Sequence, residues 1–376
     1  MVRLDSISIA GFKSIGSRQS ISFGDVSVLL GANGAGKSNV ISAMKMLNEL
    51  ARKALQIYLA GSGRANGVLH FGSAFTKEIL LEANVSDDDW HGAYNASLQF
   101  GMPESLFFGG EKIRAVGKNN SRTIETELES AGSLESRLFD ASSGKDVDCA
   151  EICKMLRRLF LGISVFQFHD TSDSSRIRNS CYIEDAQGLN SDAGNLAAFL
   201  YALQASSPRY YDRIVEHIRQ MVPQFWDFRL EPSRTNSRSI FLNWVGERGD
   251  DYLLGPHQLS DGSLRYMALT TLLLQPRETL PNVIVLDEPE LGLHPAAIAS
   301  LSEMIAIASQ NCQVVLATQS PELANQFSAD EIVIVEYDKT ANESCFKRLD
   351  SEALKDWLKD YSIAELWEKN VLGGRP

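Results

Sequence analysis

Residues 26–40, VSVLLGANGAGKSNV, are the strongest indication of the fold of this chain. The apolar run VSVLL predicts a buried strand, and a helical pattern from Asn39 to about Ala60 follows the loop GANGAGKS (31–38). That loop fits the pattern G-x-x-x-x-G-K-[ST] in the strand-loop-helix context where it holds phosphate groups. The predicted nucleotide-binding positions are Gly31, Asn33, Gly34, Gly36, Lys37, Ser38 and Asn39.

The residue types in this loop point to a bound triphosphate. Glycines allow backbone N–H groups to close around a β-phosphate at the start of a helix. We expect Lys37 to neutralise the β- and γ-phosphate charge and the Ser38 hydroxyl to bind Mg²⁺. ATP and Mg²⁺ are therefore the predicted ligands.

A second motif, NVIVLDEPELGLHP (282–295), ends an apolar strand with two carboxylates. Adjacent buried carboxylates are costly unless they face a cation or a reacting water. We expect Asp287 to hold Mg²⁺ through water and Glu288 to act as the general base. The alternative is an exposed acidic pair at a strand end, which the preceding phosphate loop disfavours.

The motif LSDGSLRY (259–266) resembles a second phosphate cradle. It presents the Ser260 hydroxyl and Gly262 at the start of a helix, where an anion is favoured. One phosphate loop leaves the γ-phosphate open on the opposite side, so we expect Ser260 and Gly262 to contact the nucleotide of another subunit.

By resemblance to the Q-loop of ABC-type ATPases, a sensor of the γ-phosphate and Mg²⁺ is expected within VFQFHDTS (165–172). Alternation along a strand puts Gln167 and His169 on one side and Phe166 and Phe168 on the other. Gln167 is the candidate for the metal contact. A polar rim of the sheet is the alternative interpretation.

The remaining pattern predicts an α/β protein with a mixed or parallel sheet core. Residues 76–118 alternate as antiparallel strands, whereas residues 119–146 are rich in Ser, Gly, Asn and Asp and predict loops. About 220 residues of mixed strand and helix separate the two phosphate motifs, so no long coiled-coil arm is expected.

The order of the phosphate loop, LSDGS, LDEPELGLHP and ATQSP (317–321) resembles the ABC-type ATPases of the SMC and RecF-like branch, in particular small members without long coiled coils. The resemblance extends from GFKSI (11–15) to ELWEKNVLGG (365–374). It implies a P-loop NTPase fold with an antiparallel β lobe and an inserted helical lobe. It also implies a head-to-tail homodimer around two ATP molecules, with Lys13 and Ser14 approaching the phosphates.

On this resemblance the chain divides into four parts. Residues 1–118 form the first part of the ATPase lobe, 119–255 the inserted lobe with the sensor, 256–350 the rest of the ATPase core, and 351–376 a helical tail.

Three positions depart from the transporter-type pattern. Asp261 replaces a signature glycine, so its charge must point away from the γ-phosphate or be neutralised. His294 occupies the D-loop aspartate position. Gln319 replaces the switch histidine and can hydrogen-bond a phosphate or water, but it cannot share a proton as imidazole does. Glu288, Lys37 and Gln319 remain the expected catalytic residues, with slow turnover.

Composition limits the class of protein. The net charge of −12 argues against a protein that coats nucleic acid over its whole surface. Residues 154–160 and 174–180 are candidate basic patches for DNA contact, although solvated faces are the favoured interpretation of both stretches. Five irregularly spaced cysteines predict a reducing, cytoplasmic setting. The longest apolar run is too short to span a membrane, which requires about 20 residues.

Two functions of different classes follow. One is an ATP-switched dimer in DNA metabolism or antiphage defence. The other is a regulatory ATPase subunit that controls a separately encoded nuclease or toxin. The nucleotide-binding subunit of a transporter ranks below both.

Overall fold

A computed structural model describes residues 2–118, 122–246 and 252–374 of the chain. In chain order, its strands are β1 (Arg3–Ala10), β2 (Gln19–Ser22), β3 (Val26–Leu30), β4 (Glu78–Ser86), β5 (Trp90–Gly101), β6 (Ser105–Gly117), β7 (Thr123–Leu128), β8 (Ile163–Phe166), β9 (Cys181–Tyr182), β10 (Asp227–Phe228), β11 (Ser239–Ile240), β12 (Trp244–Val245), β13 (Val283–Asp287), β14 (Gln313–Thr318), β15 (Ile332–Asp338) and β16 (Glu343–Arg348).

Helices cover these strands. They are α1 (Lys37–Arg52), α2 (Leu55–Gly61), α3 (Arg64–Val68), α4 (Leu138–Ala141), α5 (Val147–Leu161), α6 (Leu196–Ser206), α7 (Pro208–Met221), α8 (Asp261–Leu274), α9 (Pro295–Ala308), α10 (Pro321–Ala324) and α11 (Ile363–Glu368).

The central sheet has the strand order β16-β15-β3-β14-β13-β8. All neighbouring pairs from β15 to β8 are parallel, and β16 is antiparallel to β15. Consecutive residues of β3 pack into different hydrophobic clusters: Val28 and Leu30 face one, and Leu29 faces the other. Burial on both faces explains why the strand is a continuous apolar run. The carboxyl ends of β3, β14, β13 and β8 consequently lie at one edge.

A second sheet, with the order β2-β1-β4-β5-β6-β7, contains the antiparallel strands predicted over residues 76–118. It shares one hydrophobic cluster with α1, α5 and one face of the central sheet. On the other face, α6, α7, α8 and α9 contribute to the second cluster. The short α6 and α7 occupy the region between the two phosphate motifs, where no long arm was expected.

The prediction of loops over residues 119–146 is wrong at β7 and α4. β7 pairs with β6 so that Glu125 faces Arg114 and Glu127 faces Lys112. Opposite charges across two strands favour pairing, and charged side chains suit an edge strand. The surrounding Ser, Gly and Asn residues concealed this short alternating pattern.

Two helix predictions were too long. The helix that begins in the phosphate loop ends at Arg52, because the next residue, Lys53, has a left-handed φ of 58°, and α2 follows separately. In the tail, residues 351–376 were predicted to be helical, but the described part contains only a 3₁₀ turn at Trp357–Lys359 and α11. A capping box between Ser362 and Glu365 begins α11 there and prevents a continuous helix.

Candidate functional site

The phosphate loop has the backbone conformation that glycine permits. Gly34 and Gly36 have φ values of 79° and 119°. A Cβ on Gly31 would lie 2.2 Å from the Val335 carbonyl oxygen, and one on Gly36 would lie 2.2 Å from the Ser344 Oγ. No other residue fits these two positions without displacement, whereas space around Gly34 is open. The loop therefore forms a cradle with the shape that a phosphate group requires.

Lys37 lies across this cradle and is buried. Its Nζ donates to the carbonyl oxygens of Gly31 and Ala32 at 2.7 and 3.0 Å. Burial lowers the pKa of Lys37, while the carboxylates of Glu288, Asp287 and Glu290 act in the opposite direction. Neutral carbonyls thus hold the ammonium within reach of the loop, where a phosphate can replace them.

Lys13 and Ser14 contact the helix that follows the phosphate loop. Lys13 Nζ donates to Ser42 Oγ at 2.8 Å, and Ser42 Oγ donates to the Ser38 carbonyl oxygen at 2.8 Å. Burial, and secondly the charge of Lys45, lowers the pKa of Lys13. Its conformation is left-handed, with φ 50°.

Ser14 belongs to a separate hydrogen-bond network under the loop. Its Oγ accepts a hydrogen bond from Asn39 Nδ2 at 2.6 Å and lies 2.6 Å from Ser344 Oγ. Ser344 Oγ donates to the Ala35 carbonyl oxygen at 2.6 Å. Asn39 is half-buried in this network, whereas Asn33 and Ser38 are exposed. Beside residues 32–35, a cavity of about 800 Å³ extends to residues 336–339.

The carboxylates and the sensor candidates meet at the same sheet edge. Gln167 Nε2 donates to Asp287 Oδ2 at 2.7 Å, and His169 Nε2 lies 2.8 Å from the Asp287 carbonyl oxygen. Both candidates thus contact the aspartate expected to hold Mg²⁺. Phe166 and Phe168 are buried, whereas Gln167 is exposed; β8 ends at Phe166, so strand alternation does not extend over these residues.

Glu288 has a strained backbone, with φ 44°. Its N–H donates to the Ala317 carbonyl oxygen at 2.8 Å, which ties the turn after β13 to β14. Residues in rare backbone conformations often lie at functional sites. Gln319 follows directly after β14 and is half-buried.

Within the described ranges, no group of three or more His, Cys, Asp or Glu side chains is arranged to hold a metal ion. The oxygen donors expected from the sequence are the Ser38 hydroxyl and the Asp287 carboxylate, together with phosphate oxygens. That donor set of oxygens is the one Mg²⁺ prefers.

The signature segment lies at the exposed N-terminus of α8. Ser260 caps the helix, because its Oγ accepts from Ser263 N at 3.1 Å. A Cβ on Gly262 would lie 2.6 Å from the Gly292 carbonyl oxygen, so close packing requires glycine there. In the described part of this chain, the Ser260 side chain bonds only to Ser263 and makes no contact with the phosphate loop.

The charge of Asp261 is neutralised. Arg178 donates through NH2 to Asp261 Oδ1 at 2.7 Å, and this bond contributes most to lowering the pKa of Asp261. Arg178 itself has a side chain only 6% exposed and also donates to the carbonyl oxygens of Thr171 and Pro256. Segment 174–180, a candidate basic patch in the sequence, therefore contributes a structural arginine.

His294, at the D-loop aspartate position, caps α9 by accepting from Ala296 N at 3.3 Å. Sequence reasoning missed Arg265. Its guanidinium donates to the carbonyl oxygens of Phe168, His169 and Leu291 at 3.0, 2.8 and 2.9 Å. One side chain thus joins the signature helix, the sensor segment and the turn after the carboxylates. The signal was a lone arginine within the apolar pattern of α8.

In the described residues, no helix is long and apolar enough to cross a lipid bilayer.

A family model described as "AAA domain, putative AbiEii toxin, Type IV TA system" matches residues 164–325, which is less than half of the chain. The matched segment includes Gln167, the signature, Asp287, Glu288 and Gln319, but it does not include the phosphate loop.

Curated relatives match over shorter stretches. The chain is 27% identical over 128 residues to "Putative ABC transporter ATP-binding protein MG303" of Mycoplasma genitalium, covering 34% of each chain. It is 30% identical over 110 residues to "Energy-coupling factor transporter ATP-binding protein EcfA2" of Ligilactobacillus salivarius, covering 29% of this chain and 36% of the relative. The matches span about a third of the length of these relatives.

Solved structures match almost the whole chain. An SMC head bound to the C-terminal winged-helix domain of ScpA has a TM-score of 0.56 at 16% identity, over 93% of this chain and 99% of that one. The SMC head with an extended coiled coil bound to the C-terminal domain of ScpA, from Pyrococcus furiosus, has a TM-score of 0.55 at 13% identity, over 96% and 99%. At these identities the similarity establishes the fold. The predicted fold class is confirmed, and so is the resemblance drawn from the motifs.

Proposed function

We propose that this chain, a P-loop ATPase of the ABC type in the SMC and RecF-like branch, binds and hydrolyses ATP with Mg²⁺ as one half of a nucleotide-dependent homodimer. The observation that carries the proposal is the shared edge of the central sheet. There β3 leads into the phosphate loop, β13 ends in Asp287, β14 leads to Gln319 and β8 leads to Gln167.

Each residue at this edge has a chemical task. The loop amides at Gly34 to Ser38 bind phosphate oxygens, and Lys37 exchanges its carbonyl partners for the β- and γ-phosphates. Ser38 and Asp287 would hold Mg²⁺, which when bound neutralises charge that develops on the phosphates. Gln167 orients the Asp287 carboxylate through its hydrogen bond.

Glu288 accepts a proton from the attacking water, and Gln319 orients that water or a phosphate oxygen by hydrogen bonding. An amide cannot carry a proton away, so turnover rests on Glu288 and is expected to be slow. Lys13 and Ser14 support the cradle through the contacts with Ser42 and Asn39.

In the proposed dimer, Ser260 and Gly262 of one subunit contact the γ-phosphate bound by the other. Three features support this: Ser260 is exposed, it caps the helix N-terminus, and it has no contact with its own phosphate loop in the described residues. The ion pair with Arg178 removes the objection that Asp261 would repel the phosphate.

The role we favour is a switch in DNA metabolism or antiphage defence. A second candidate is a regulatory subunit for a separately encoded nuclease or toxin, and the family description naming a type IV toxin-antitoxin system favours it. The SMC heads with this fold are bound to ScpA domains, which suggests a protein partner here as well. All five cysteines are free thiols, in keeping with a cytoplasmic setting. The transporter role ranks lower, because the curated matches cover about a third of either chain and the signature differs.

ATP binding and steady-state hydrolysis by the purified chain, with Lys37→Ala as the matched variant, test the enzymatic part. We expect Mg²⁺-dependent hydrolysis and at least about tenfold weaker ATP binding for the variant, because one charge-assisted contact contributes about 1.5–3 kcal/mol. Equal ATP binding by both proteins would contradict the site.

Copurification from the native host separates the two roles. A nuclease or toxin that elutes with the chain only in ATP supports the regulatory role. Binding of DNA by the chain alone supports the role as a switch in DNA metabolism or antiphage defence.

A further inference from the structure

Glu290, in the turn after the two motif carboxylates, has half of its hydrogen-bonding capacity unused. Oε1 accepts a hydrogen bond from Thr318 Oγ1 at the end of β14. Oε2 is buried and has no hydrogen-bond partner. An unpartnered buried oxygen costs about 1–3 kcal/mol, and native proteins keep few of them. Such a group is costly as a purely structural element.

The partner of Glu290 links three parts of the site. The Thr318 hydroxyl accepts from Ser320 N at 2.9 Å, and the Thr318 carbonyl oxygen accepts from Gly31 N at 3.3 Å. Thr318 and Ser320 flank Gln319 on either side. Fixing the Thr318 hydroxyl therefore fixes the backbone on both sides of Gln319. Because the Thr318 carbonyl oxygen accepts from Gly31 N, Thr318 also holds the first residue of the phosphate loop.

Two hydrogen bonds connect the turn that contains the carboxylates to residues 317–318. One is the backbone bond from Glu288 N to the Ala317 carbonyl oxygen at 2.8 Å. The other is the side-chain bond between Thr318 and Glu290. Burial raises the pKa of Glu290, and the Thr318 hydrogen bond and the charge of Lys37 oppose this rise. The carboxyl group thus lies within the electrostatic environment of the phosphate loop.

We propose that Glu290 is a positioning residue for ATP hydrolysis. It acts through the Thr318 hydroxyl to fix the position of Gln319 relative to Glu288 and the phosphate loop. This inference rests on the proposed function, since it assigns Gln319 a part in hydrolysis. The backbone bond from Glu288 fixes only Ala317, two residues before Gln319. The side-chain bond from Glu290 fixes Thr318, which directly precedes Gln319.

The test compares kcat and KM for ATP among variants that break or keep this bond. Glu290→Ala and Thr318→Val each remove one partner, and we expect kcat to fall about tenfold with KM within about twofold, since the loop amides and Lys37 supply most of the ground-state binding of ATP. Glu290→Gln and Thr318→Ser keep an acceptor and a donor. We expect their kcat to stay within about threefold of the unmodified chain.

A double-mutant cycle shows whether Glu290 acts through Gln319. If it does, Glu290→Ala combined with Gln319→Ala should be no slower than Gln319→Ala alone, because the two losses are not additive. Additive losses would overturn the proposal, and so would a Glu290→Gln variant as slow as Glu290→Ala. Thr318→Val is nearly isosteric, so it provides the answer should Glu290→Ala fail to fold.

Different results would contradict the proposed function and the role of Glu290. No hydrolysis by the unmodified chain contradicts the proposed function itself. Normal hydrolysis by the unmodified chain, with kcat within twofold for both Glu290→Ala and Thr318→Val, overturns only the role of Glu290.

Discussion

Two carboxylates withdrawn from solvent, Glu111 in the antiparallel lobe and Glu290 beside the phosphate loop, have opposite surroundings. Glu111 is fully buried and accepts hydrogen bonds from Tyr94 OH at 2.7 Å, Ser136 Oγ and Arg137 N at 2.9 Å. Both of its oxygens are used. Glu290 has one donor, Thr318, and one oxygen without a partner.

We interpret this difference as one between a structural group and a group of the proposed site. Glu111 joins β5 and β6 to the segment that enters α4, and complete satisfaction of its oxygens offsets the cost of burying it. The phosphate-loop edge instead combines an unpartnered oxygen with left-handed backbone at Gly34, Gly36 and Glu288. Strain and unmet hydrogen bonding of this kind concentrate where a ligand completes the site.

Substitution of Glu288 should change kcat strongly and the free energy of unfolding little. Glu288→Gln should reduce kcat by about 100-fold or more, because it removes the general base, while ATP binding is retained. The free energy of unfolding should stay within about 0.5 kcal/mol, as expected for a change outside the packed core. Steady-state hydrolysis and urea unfolding measure the two quantities. A variant that is strongly destabilised would make Glu288 a structural residue like Glu111.

Glu111→Ala should produce the reverse pattern. It leaves the donors on Tyr94, Ser136 and Arg137 without their acceptor, so the free energy of unfolding should fall by about 3 kcal/mol or more. ATP turnover per folded molecule should remain within about twofold. Chemical unfolding, together with turnover measured well below the melting temperature, checks both values. Unchanged stability would remove the distinction between the two carboxylates.

A smaller effect concerns pH. Because burial raises the pKa of Glu290, its carboxyl group keeps its proton to a higher pH in the native state than in the unfolded chain. Its contribution to stability is present below the unfolded pKa and is lost as pH rises through the native pKa. Glu290→Gln removes this titration, so its melting temperature relative to the unmodified chain should increase from pH 5 to pH 8. Parallel melting curves across that range would contradict the assignment.

Local patterns were sufficient for much of the fold and for the cradle. The run VSVLL and the loop GANGAGKS fixed the order of strand, loop and helix, and the alternation over residues 76–118 identified the antiparallel sheet. Gln167 and His169 were identified as sensor candidates, and in the structure they contact Asp287 because β8 and β13 are parallel neighbours. These features depend on neighbours in sequence or on sheet topology alone.

Other features depend on partners distant in sequence. Glu290 meets Thr318, Arg178 meets Asp261, and Arg265 reaches three loops; no spacing along the chain predicts these contacts. β7 was missed because its pairing partner, β6, is not evident from the local pattern of residues 123–128. The tail was predicted as too much helix because the capping box at Ser362 was overlooked.

Sedimentation of Glu288→Gln with ATP and Mg²⁺ shows whether bound nucleotide joins two subunits through Ser260. Trapped nucleotide should convert the protein from monomer to dimer, and Ser260→Arg in the same background should abolish the dimer while Ser206→Arg, at another exposed serine, leaves it intact. A protein that stays monomeric with ATP bound, or a dimer that Ser260→Arg does not disturb, would contradict the account.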